Sequence, residues 1–199
     1  MDYDAGNTLS VTRALEKIGA RVDLTPDPQR VLNADAVVLP GVGAFGDCMR
    51  KLEERGMDEA CLETYRTGKP FLGVCVALQV FFEGSEESPG VKGLGILPGR
   101  VVRFDVGDLK VPHMGWNDLR VVRPHPVFEG LGGEAFYFVH SYYPEPDETA
   151  DLIGVSDYGR AFCAAAGRGN LAAVQFHPEK SSLAGLKLYE NFLLWARSL

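Results

Sequence analysis

The sequence predicts an α/β fold with a mainly parallel sheet, helices on both faces and added antiparallel hairpins. Short apolar runs such as Ala36-Val37-Val38-Leu39 and Pro70-Phe71-Leu72-Gly73-Val74 have the unbroken hydrophobicity of strands covered on both sides. Amphipathic helical stretches separate these runs, and that alternation implies right-handed crossovers between parallel strands. Turns follow these strands at Gly41 and at Cys75, at the carboxyl edge where sites of such sheets lie.

In chain order, Asp2 to Asn7 is rich in turn formers. Ser10 to Ile18 follows as a helix with Val11, Ala14, Leu15 and Ile18 on one face, ended by Gly19. Arg21 to Leu24 is a short strand candidate and Pro26 to Gln29 a loop. Helical spacing runs from Phe45 to Leu52 and from Met57 to Tyr65. Between Gly93 and Val122, glycines and prolines punctuate short strand candidates at 94–97, 100–104, 110–112 and 119–122. Ala135 to Tyr143 is strongly strand-forming, 152–156, 162–166 and 171–176 continue the series, and a helix over about 184–196 closes the chain. No repeat, linker or low-complexity segment divides it, so residues 1–199 read as one domain.

Composition excludes several classes. The 199 residues are 46% hydrophobic, enough for a sizeable core, and the formal charge of −7 argues against general nucleic-acid or anionic-membrane binding. No apolar run approaches a membrane span and the amino terminus lacks signal-peptide character, so a cytoplasmic protein is expected. The four cysteines show neither paired spacing nor a zinc pattern, so reduced thiols are expected. Cys48, Cys61 and Cys163 read as core residues; nothing calls for a metal or bound cofactor.

Cys75 differs. It stands between a strand and a helical run, Gly73-Val74-Cys75-Val76-Ala77-Leu78-Gln79, with small residues two before and two after. That is a nucleophile elbow, in which the sulfur is exposed on a tight turn above the positive end of a helix dipole. The alternative is a core cysteine at a strand end. His177, in Val174-Gln175-Phe176-His177-Pro178-Glu179, also follows an apolar strand; Glu179, two residues on, can face the same way and fix its tautomer. A structural histidine is the competing reading. Together the three residues make a Cys–His–carboxylate triad, with the Val76 amide and the Gly41-Val42-Gly43 loop as candidate oxyanion donors, unless that loop is an ordinary turn.

Pro40-Gly41-Val42-Gly43, the Cys75 elbow and His177-Pro178-Glu179 together resemble the class I (triad) glutamine amidotransferases. Pro112-His113-Met114-Gly115-Trp116-Asn117, Phe138-Val139-His140-Ser141-Tyr142 and Gln175 to Ser181 are similar, more narrowly, to the glutaminase subunits of imidazole glycerol phosphate synthase. The resemblance spans nearly the whole chain. It implies a flavodoxin-like sheet and hydrolysis of L-glutamine, with Cys75 attacking, His177 moving protons and Glu179 orienting His177. It further implies glutamine held by Gly41, Val42, Gly43, Val76, Gln79, Ser141 and Tyr142. Ammonia would pass to a (β/α)8-barrel cyclase subunit, the partner in a heterodimer serving histidine biosynthesis.

Asn7, His113, Trp116, Tyr137 and Lys180 match positions at or near the partner face; core aromatics remain the alternative for Trp116 and Tyr137, and a solvated lysine for Lys180. The chain departs from the pattern at Asp4 and Ala77, where glycine is usual, and at Met1-Asp2-Tyr3-Asp4, where the first strand would be shortened or incomplete. A binding subunit with impaired catalysis, and the glutaminase of another synthase such as pyridoxal phosphate synthase, are the competing functions.

Overall fold

A computed structural model describes residues 1–199. Helix α1 spans Thr8–Lys17 and α2 Pro28–Leu32, followed by strand β1, Val37–Gly41. Helices α3 (Phe45–Glu54) and α4 (Met57–Arg66) lead to β2, Phe71–Cys75, and the short α5, Val76–Val80. Then come β3 (Gly99–Arg103), β4 (His113–Asp118), β5 (Arg120–Val121), β6 (Ala135–His140) and β7 (Tyr142–Pro146). The chain finishes with β8 (Leu152–Asp157), β9 (Ala161–Arg168), β10 (Leu171–Val174) and α6 (Ser182–Ala196).

Six strands form the main sheet in the order β1-β2-β10-β9-β8-β5. Strands β1, β2 and β10 run parallel, and β9, β8 and β5 continue antiparallel, so the sheet has a parallel half that carries the helical crossovers and a hairpin half. Every residue of β2 and of β10 is buried, as expected of strands covered on both faces. The core they organise runs from Tyr3 to Trp195; Phe136 stacks on Phe176 with ring centroids 4.0 Å apart, which ties β6 to the segment leading into His177.

The hairpins only partly join the sheet. Strands β3 and β7 pair with each other, as do β4 and β6, and only β5 adds to the main ladder. Residues 94–97, expected as a strand, are irregular because other groups take their amides. Leu94 N donates to Val80 O at 2.7 Å and Leu97 N to Phe81 O at 3.0 Å, satisfying the free carbonyls at the end of α5. Residues 110–112 likewise form no strand, whereas His113–Asp118 forms one.

Arg21 to Leu24 also forms no strand, and the helix Pro28–Leu32 begins inside the loop expected over Pro26 to Gln29, capped by Asp27 Oδ1 accepting from Gln29 N at 2.9 Å. The reason at Arg21 to Leu24 is spacing. A cleft of about 710 Å³, lined by Val11, Leu15, Val22, Leu24, Val37 and Val38 among others, separates this segment from β1. Two hydrogen bonds bridge it: the Met1 ammonium donates to Val38 O at 3.0 Å and Asp2 N to Thr25 O at 2.9 Å. Met1 and Asp2 thus bridge the two segments without forming a ladder with either. Burial lowers the pKa of the Met1 ammonium, because the charged form loses water there.

Candidate active site

Strand β1 and strand β2 are in register with Gly41 opposite Cys75, which sets the glycine loop directly beside the elbow. Cys75 takes φ +60°, ψ −113°, a backbone conformation that side-chain-bearing residues rarely adopt. Gly73 is required beneath it, since a Cβ there would run into the Phe81 ring. A Cβ at Gly41 would lie 2.7 Å from the Ala77 amide nitrogen, so only glycine lets the loop approach the first amides of α5. Ala77 itself is helical and does not have positive φ, and its methyl is accommodated. The loop is held from behind: Tyr3 Oη donates to Pro40 O at 2.7 Å and Cys48 Sγ to Val42 O at 3.3 Å.

The sulfur is not exposed as the elbow pattern predicted. Cys75 is only 3% accessible, with Gly41 opposite it on β1 and Gln175 Nε2 4.0 Å from its sulfur. His177 follows the carboxyl end of β10, within interaction range of Cys75; its Nδ1 lies 2.9 Å from Glu179 Oε1, and both side chains are buried. Asn7 Nδ2 donates to the same oxygen at 3.4 Å, and Glu179 Oε2 is buried without a protein partner. Burial pulls the His177 pKa down, but hydrogen bonds and charge interactions with Cys75 and Glu179 outweigh it and raise the value to about 10. An imidazolium so held is ready to give a proton to a leaving nitrogen.

Backbone bonds fix the turn that carries this histidine. His177 N donates to Tyr137 O at 2.9 Å, Ser181 Oγ donates to His177 O at 2.6 Å, and Tyr137 N donates to Ser181 Oγ at 3.0 Å. Strand β6 therefore grips the triad turn. On its outer side Trp116 (56% accessible) packs edge-on against Tyr137, and Lys180 Nζ lies 5.9 Å from the Tyr137 ring centroid. These three make one surface, extended by Met114. Asn7 and His113 do not belong to it. Asn7 turns inward to Glu179, and His113 is 3% accessible, stacked on Tyr158 at 4.2 Å, because alternation along β4 points it to the core.

Gln79 is brought to the site: its Nε2 donates to Tyr142 O and to Gln175 Oε1, both at 3.1 Å. Gln175, whose Nε2 stands 4.0 Å from Cys75 Sγ, was missed. The signal was present in the strand alternation, since it lies two residues before His177. No three histidine, cysteine, aspartate or glutamate side chains converge to hold a metal ion.

A thiol, an imidazole and a carboxylate on the carboxyl edge of an α/β sheet, beside a glycine loop, can perform acyl transfer from an amide. The chain belongs to the class I glutamine amidotransferase family, whose model matches residues 1–196. Solved structures share the fold: "Crystal structure of glutamine amidotransferase" superposes with a TM-score of 0.76 at 19% identity, over 97% of this chain and 95% of that one. The glutaminase domain of a Trypanosoma brucei CTPS does so at 0.69 and 20% identity, over 98% and 90%.

Within the family, curated relatives named imidazole glycerol phosphate synthase subunit HisH are similar over nearly their full length. The Syntrophotalea carbinolica protein is 50% identical, covering 96% of this chain and 97% of its own. Those of Aromatoleum aromaticum (98% and 97%) and Methanothermobacter thermautotrophicus (97% and 96%) are 51% identical.

Proposed function

We propose that this chain, as one glutaminase domain over residues 1–199, hydrolyses L-glutamine and supplies the ammonia to the cyclase subunit of an imidazole glycerol phosphate synthase. The observation that carries the reading is His177 between the Cys75 thiol and a buried Glu179, 2.9 Å from Nδ1, in a chain half identical to HisH subunits. Cys75 Sγ attacks the side-chain carboxamide carbon, and the oxyanion forms against the Val76 amide and the Gly41-Val42-Gly43 loop. The His177 proton goes to the departing ammonia. Neutral His177 then takes a proton from water, which attacks the thioester and releases glutamate with the thiol restored. Glu179 keeps the imidazole in place throughout, and Ser141 and Tyr142 hold the glutamine.

Trp116, Tyr137 and Lys180 form the face for a (β/α)8-barrel cyclase in a heterodimer, with Asn7 and His113 supporting it from behind. The compartment is the cytoplasm; no helix is long and apolar enough to cross a membrane. Glutamine-dependent ammonia release, measured with and without the cyclase, tests the reading, and Cys75→Ala should abolish it. Turnover that survives Cys75→Ala would reject the mechanism. A purely binding role would show as no release even in the assembled complex, and the helical Ala77 gives that alternative no support.

A further inference from the structure

Behind the glutamine-binding wall lies a row of polar groups that the mechanism above leaves unused. Asn117 Nδ2 stands 3.3 Å from His113 Nε2, His113 Nδ1 3.2 Å from His140 Nε2, and His140 Nδ1 2.8 Å from Tyr142 O. Tyr142 O is the carbonyl that also receives Gln79 Nε2 at 3.1 Å. Both histidines are buried among Phe104, Phe138 and Phe162.

The polarity of this row follows from its inner end. A carbonyl only accepts, so His140 Nδ1 carries the hydrogen; in a neutral ring Nε2 is then the acceptor, and His113 Nδ1 must donate to it. His113 Nε2 is left as acceptor and takes an Asn117 amide hydrogen. The other Asn117 hydrogen goes to Asp157 O at 2.7 Å, while Asn117 Oδ1 accepts from Asp118 N at 2.9 Å. Every link has one allowed direction, with all donors pointing inward. Burial supports the neutral state of both rings, lowering His113 to about 4 and His140 to about 3.

We propose that His113 and His140 are positioning residues for glutamine hydrolysis, a one-way hydrogen-bonded row from the half-buried Asn117 that fixes the Tyr142 carbonyl and, through it, Gln79. A hydrophobic replacement of similar bulk would fill the core equally well. What it would lose is the hydrogen on Nδ1, leaving Gln79 Nε2 as the one side-chain donor to the Tyr142 carbonyl, in a wall that then holds Gln79 and the residues beside it less firmly. The effect therefore falls on glutamine binding rather than on the Cys75–His177 step. The proposal rests on the reading of Ser141 and Tyr142 as glutamine-holding.

The test is glutamine kinetics in the assembled synthase together with ¹⁵N NMR of histidine-labelled protein. His140→Leu should raise KM about tenfold with kcat within about threefold of wild type. His140→Asn, whose amide nitrogen can occupy the Nδ1 position, should restore KM to within about threefold. In the unmodified protein, Nδ1 of both rings should show the protonated shift and Nε2 the unprotonated one. Asn117→Ala, at the solvent end, should move the His113 signals toward mixed tautomers even where His140→Leu fails to fold. Equal KM in the leucine and asparagine variants, unchanged KM in both, or the opposite tautomer would overturn the row. Retained turnover in Cys75→Ala would instead strike the glutaminase reading itself.

Discussion

At the residue scale, His177 sets the chemistry and also links stability to pH. Its pKa is raised from an unfolded value near 6.5 to about 10 in the folded protein, so the folded state binds the extra proton over that interval. The contribution is complete below pH 6.5 and fades as pH climbs through the folded value. Thermal melts of the unmodified chain should therefore shift downward between about pH 7 and 10, and Glu179→Gln should flatten that slope while lowering kcat by about 10²-fold or more. A melt profile of equal slope in the variant would mean that Glu179 does not hold the imidazolium. Cys48 shows how context separates like residues: its thiol is pushed up to about 11 by burial, and it braces Val42 O instead of reacting.

At the scale of elements, helix α6 and the His177–Ser181 turn are packed backbone to backbone. A Cβ on Gly185 would collide with the Pro178 carbonyl. Gly185→Ala should thus push α6 off the turn, costing about 1–3 kcal/mol by denaturant unfolding and reducing ammonia release through displacement of Glu179. A variant of unchanged stability and activity would show that this contact can relax.

The cleft between β1 and residues 21–25 makes a second element-scale prediction. Four β-branched residues added ahead of Met1 would convert the buried ammonium to an amide and lie between the two free edges, filling apolar space. The expected gain is about 2–4 kcal/mol, with no gain from a Gly-Ser extension of equal length. Equal melting points for the two extensions would show that the cleft does not accept a strand.

At the scale of the whole molecule, the triad joins segments a hundred residues apart, and strand β6 connects it to the surface. Tyr137 holds the His177 turn through its backbone while its ring lies between Trp116 and Lys180. A partner seated on that face would press on the same strand that positions the base, a direct route for coupling the two sites. Trp116→Ala should weaken cyclase binding by about 2 kcal/mol or more in titration calorimetry, with the melting temperature of the isolated chain unchanged. Wild-type affinity would place the partner elsewhere.

The sequence by itself determined the alternating strand and helix order, the elbow at Cys75 and the His177–Glu179 pair. These depend on local periodicity and on residues close in the chain. Gln175 was equally legible, two positions from His177 on the same face. Only tertiary structure decided that Arg21 to Leu24 stays unpaired, that residues 94–97 spend their amides on the end of α5, and that Asn7 turns inward to Glu179. It also decided that the Cys75 sulfur is covered and that His113, His140 and Tyr142 line up. In each case the deciding contact comes from a distant segment, and hydrogen bonding and burial between segments leave no trace in local hydrophobic spacing.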